Sequence, residues 1–79
     1  MATKFYRADF APMDGNIGVD IDSDYFISDS DDRAIEVAKD TAARGVDFVD
    51  IGHVDIELTQ VFVVDDTQET FPEVEQIYW

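Results

Sequence analysis

The chain has 79 residues, enough for one domain and too few for a second, and such a domain buries only about 60% of its unfolded surface. Nineteen acidic against five basic side chains give a net charge of −14, which opposes direct binding to nucleic acid or to an anionic membrane. There is no cysteine, which excludes disulfides and thiolate chemistry, and a hydrophobic content of 46% is too high for a disordered acidic tail.

Valine, isoleucine and phenylalanine dominate the apolar set, and Leu58 is the lone leucine, a bias toward strands. Lys4 to Phe10 alternates Phe5, Arg7 and Asp9 with Tyr6, Ala8 and Phe10, the period of a strand. Pro12 and Asp14-Gly15-Asn16 then supply turn chemistry. From Ile17 to Ile27 a second strand is expected, with Ile17, Val19 and Ile21 on one face and Asp20, Asp22 and Asp24 on the other.

A helix is expected over 31–44. Ser30 stands at its N-cap, Asp31 and Asp32 place negative charge at the positive end of its dipole, and Gly45 follows as a stop. Ala34, Ile35, Ala38 and Ala42 recur at helical spacing and form a narrow face of mostly small residues.

Val46 to Ile51 leads through Gly52 and His53 into a third strand, Val54 to Val64, where Asp55 and Glu57 alternate with Val54, Ile56 and Leu58. Asp65-Asp66-Thr67 reads as a turn, and Val74 to Trp79 as a closing edge strand behind Pro72. The order β-β-α-β-β predicts an α+β fold of two layers: a four-stranded, mainly antiparallel sheet with one helix on one face. The acidic rows are expected on the other face, together with Asp29, Asp31 and Asp32 at the helix start.

Catalytic constellations are missing. His53 is the only histidine, and there is no phosphate-binding loop, nucleophile elbow or HExxH spacing. Asp20-x-Asp22-x-Asp24 opens like a calcium loop, with Ile27 and Asp31 in register. Tyr25 occupies the glycine position, however, Asp31 replaces the bidentate glutamate, and no helix is expected before the loop. No enzyme activity, metal or cofactor is expected.

Carboxylates repeating every second residue on a strand stand about 6.6 Å apart, a regular array of negative charge like that of a nucleic-acid backbone. The plain alternative is a solvated surface, and adaptation to high salt would produce the same excess of aspartate. Like charges opposed across strands are destabilising, so a small domain that keeps several of them has a use for them. Asp20, Asp22, Asp24, Asp29, Asp31, Asp32, Asp55 and Glu57 are therefore the candidate contacts for a basic protein partner.

In size, acidity and element order, including the passage from Tyr25 through Ser30 to Lys39, the chain resembles the small acidic anti-CRISPR proteins of phages and other mobile elements. The resemblance implies a protein that binds a CRISPR surveillance complex, of type I on this reading. It would block target DNA by occupying the positively charged channel that holds nucleic acid. The absence of cysteine makes a reducing cytoplasm the expected setting, and monomer and homodimer both stay open. An antitoxin-like module, or an inhibitor of another DNA-handling enzyme, would show the same electrostatics. The longest apolar run, Val61 to Val64, is far below the roughly 20 residues of a membrane span.

Overall fold

A computed structural model describes residues 3–79. It is an α+β domain in which β1 (Lys4–Pro12), β2 (Asp24–Ser28), β5 (Ile56–Val64) and β6 (Glu73–Tyr78) form one antiparallel sheet in the order β2-β1-β5-β6. Helix α1 (Asp31–Arg44) packs on one face, and β3 (Val46–Phe48) with β4 (Gly52–Val54), which follow it in the chain before β5, make a separate two-stranded hairpin.

Alternation on β1 sorts the two faces. Tyr6, Ala8 and Phe10 are buried toward the helix, where they meet Val61 and Val63 of β5 and the helical Ala34 and Ala38. The small alanines let the helix lie close on the sheet, as their spacing predicts. Capping follows the sequence closely: Ser30 Oγ accepts from the Arg33 amide at 3.1 Å, and Gly45 donates to the Ala42 carbonyl at 3.1 Å. Buried Tyr6 donates its hydroxyl to Asp31 at 2.7 Å; burial first, and then this carboxylate, push its pKa well above the usual tyrosine range.

Two expectations are corrected. The strand expected over 17–27 is a ladder only from Asp24, which pairs with Ala8. Gly18, at φ 72°, turns the chain out of the strand conformation, so Ile17 to Ser23 is irregular. Burial still alternates there, with Val19 and Ile21 half-buried against the core and Asp20 and Asp22 exposed.

The run 46–64 is three strands rather than a lead-in and a single strand. Gly52, at φ 82°, follows a turn over 49–51 and pairs with Phe48, so the chain folds back on itself with Val46 opposite Val54 and Asp47 opposite His53. His53 thus sits on a strand, with its ring facing the cross-strand carboxylate of Asp47.

Candidate functional site

The outer face of the sheet, away from the helix, is not the acidic surface the alternation predicts. Its centre is Arg7, whose Nε and Nη2 donate to the two oxygens of Asp9 at 3.0 and 3.1 Å, while Nη2 also reaches Glu73 at 2.7 Å. The guanidinium lies 4.6 Å from the Phe62 ring centroid and covers it. Asp9 accepts further hydrogen bonds from Ser23 and Gln60, both at 2.6 Å. Burial works against the Asp9 charge, but the donors Ser23, Gln60 and Arg7 together hold its carboxyl below the ordinary value of 3.8.

The eight candidate carboxylates fall into two groups, set apart by the register of β1. Asp24 lies opposite Ala8, Glu57 opposite Ala11, and the Asp55 carbonyl accepts from the Met13 amide, so these gather toward the Pro12 end. Asp29, Asp31 and Asp32 follow Ser28, which pairs with Lys4 at the opposite end of the strand. At about 3.3 Å per residue, Lys4 and Pro12 are roughly 26 Å apart. Of the first group only Glu57, between the core-facing Ile56 and Leu58, lies on the outer face of the sheet.

Asp20, Asp22 and Asp24 do come together. With Ile21, Val46 and Phe48 they line a hollow of about 200 Å³ between the irregular segment and the hairpin, a floor of apolar side chains with a carboxylate rim. Asp47 and Asp50 of the hairpin and Asp14 of the first turn, all exposed, extend the negative charge at this end. Sequence reasoning missed Asp47 and Asp50; the signal was Gly52, a turn residue read as a pause in one strand.

His53 is the cation within this group. Its Nδ1 stands 2.7 Å from Asp47 and its Nε2 3.4 Å from Asp55. The hydrogen bond to Asp47 raises its pKa above 6.5, with Asp55 adding to the effect. A raised value means that protonation stabilises the fold below pH 6.5, and that this contribution is lost as pH rises through the folded value. The urea midpoint of the wild type is expected to fall between pH 6 and 9, and that of His53→Gln to fall less. Superimposable pH profiles for the two proteins would refute the assignment.

Compared with family models, curated proteins and solved structures, the chain matches none.

Among the described residues no three His, Asp or Glu side chains converge as a metal site would require. Asp20, Asp22 and Asp24 share a hollow without pointing at a common centre. No helix among the described residues is long and apolar enough to cross a membrane. All acidic side chains except Asp9, Asp31 and Asp65 are exposed. What this surface offers is dispersed, solvent-facing negative charge, dense at the hairpin end and present again at the helix start.

Proposed function

We propose that the protein is an inhibitor of the anti-CRISPR type, which occupies the basic nucleic-acid channel of a CRISPR surveillance complex of type I and keeps target DNA out. The observation that supports this reading is the linear density of charge. The molecule is 40 Å long and 24 by 21 Å across, and it carries a net −14. Over 40 Å a single nucleic-acid strand presents about 12 phosphates and a duplex about 24. The protein therefore matches the charge of a strand of its own length.

The two carboxylate groups act as separate anchors on this reading. Asp20, Asp22 and Asp24, with Asp55 and Glu57, take lysines and arginines at one point of the channel, and Asp29, Asp31 and Asp32 take others farther along it. The test is displacement of labelled duplex DNA from a purified type I complex. Asp20, Asp22 and Asp24 changed together to Asn, or Asp29 and Asp32 changed together to Asn, are each expected to weaken displacement at least tenfold, with the urea midpoint unchanged for the first set and slightly lowered for the second, because Asp32 faces the positive end of the helix dipole. Asp31 is left intact because it holds Tyr6. Displacement that survives both sets would overturn the reading, and an absence of binding to any surveillance complex would transfer the same electrostatics to another DNA-handling partner.

A further inference from the structure

The outer face of the sheet carries an apolar surface that the charge-matching argument does not use. Phe5, Tyr25 and Phe71 form a three-ring cluster there, with centroids 5.1 to 6.0 Å apart, and Tyr25 remains 46% exposed. Phe71 is held at φ 47°, in the left-handed region that an aromatic residue keeps only where its neighbours impose it. Beside the cluster, Ile27 and Val74 are 64% and 66% exposed and line a hollow of about 280 Å³ with Phe5 and Val64.

The rim of this hollow is charged. Asp65 and Asp66 stand on it. The Asp65 carboxylate is fixed by Thr67, whose hydroxyl and amide donate at 2.6 and 2.9 Å, and by Gln68 at 3.1 Å. These donors, Thr67 first, hold its pKa below the ordinary aspartate value. Asp66 has no ion pair among the described residues, and Lys4, which also lines the hollow, directs its Nζ toward Asp31 at 3.7 Å. An apolar trough that ends at two carboxylates, beside open aromatic rings, complements a side chain with an alkyl stem and a planar cationic head. The protein's own Arg7 shows the pairing in small, lying over the Phe62 ring with its head at Asp9 and Glu73.

We propose that this hollow is a docking pocket for an arginine of the partner protein, its stem laid over Phe5 and Val64 between the flanking Ile27 and Val74 and its guanidinium set at Asp65 and Asp66. The inference rests on the reading of a cationic partner and supplies that interface with a buried anchor, since exposed rim charges steer association more than they hold it.

The test needs no surveillance complex. The isotope-labelled protein is titrated with an acetylated, amidated Arg-Leu-Arg peptide and with its citrulline counterpart, which keeps the shape and loses the charge. Amide shifts are expected at Ile27, at Val63 to Asp66 and at Val74, at least tenfold weaker for the citrulline peptide. Ile27→Ser combined with Val74→Ser, both exposed positions, is expected to weaken the arginine peptide at least tenfold as well. Shifts of equal size around Asp20 to Asp24 that the serine variants leave unchanged would reduce the contact to bulk charge and overturn the pocket. A concentration-dependent dimer in sedimentation, dissolved by Ile27→Ser, would overturn it in favour of a second copy of the chain. Failure of displacement from the surveillance complex with these peptide shifts intact would count against the proposed target and not against the pocket.

Discussion

Arg7→Ala is expected to destabilise the fold by about 2–3 kcal/mol, a large share of the roughly 4–12 kcal/mol that a domain of this size possesses. Arg7 and Asp9 are half-buried, each side chain 18% exposed, and removing one partner leaves the other partly desolvated, at a cost below the ~3–5 kcal/mol of a fully buried pair. Ser23 and Gln60 still reach Asp9 in the variant, which moderates the loss. The same substitution uncovers Phe62, now 8% exposed. Because the folded-state pKa of Asp9 is lowered, its ionisation stabilises the protein above the ordinary value of 3.8, and this is lost as pH falls through the lower folded value. Urea unfolding at pH 7 and pH 3 measures both effects. Arg7→Ala should narrow the difference between the two pH values, and a change under about 0.5 kcal/mol at pH 7 would show the network to be no stronger than an ordinary surface pair.

Gly45→Ala is expected to cost about 2–3 kcal/mol for two independent reasons. Gly45 joins α1 to the hairpin with φ 71° and ψ −167°, a region essentially closed to residues with a Cβ and costing on the order of 1–3 kcal/mol. An added Cβ would also stand 2.7 Å from His53 Nε2 and 2.8 Å from the Val54 carbonyl oxygen. The imidazole can swing away, but the carbonyl belongs to a paired strand. Adding His53→Ala to Gly45→Ala should therefore recover only a small part of the loss. Gly15→Ala is the control, because nothing lies within 4 Å of its Cβ position, and equal midpoints for Gly15→Ala and Gly45→Ala would contradict the argument.

Local chemistry made the helix legible from the sequence. Ser30, Asp31, Asp32 and Gly45 bound it at both ends, and the α+β class with four antiparallel strands followed from the alternation of β1 and β5. Hydrogen-bond pairing was harder to read. Val19 and Ile21 alternate with Asp20 and Asp22 in burial, yet Gly18 and the hydrogen bond from Ser23 to Asp9 keep that segment off the ladder. Alternation reports which side chains face the core, and a segment can satisfy it without a strand neighbour.

The candidate site was legible in composition and not in placement. That Asp20, Asp22 and Asp24 share one hollow depends on the β3–β4 hairpin, whose Val46 and Phe48 form its floor. The hairpin hangs on a single turn glycine. The outer face was misassigned because Arg7, one of only five basic residues, draws Asp9 and Glu73 around itself through contacts up to 66 positions apart in sequence. No local pattern encodes such a meeting.

If surface carboxylates stand in for phosphates in a basic channel, binding must depend on salt as DNA binding does. Affinity for the purified type I surveillance complex is measured from 50 to about 500 mM salt for the wild type and for the Asp20, Asp22 and Asp24 to Asn set, beside labelled DNA on the same complex. The wild type is expected to lose affinity steeply with salt and to compete with DNA at every concentration, and the Asn set to bind more weakly with a shallower slope. Tight binding that is indifferent to salt, or that leaves DNA in place, would contradict phosphate mimicry.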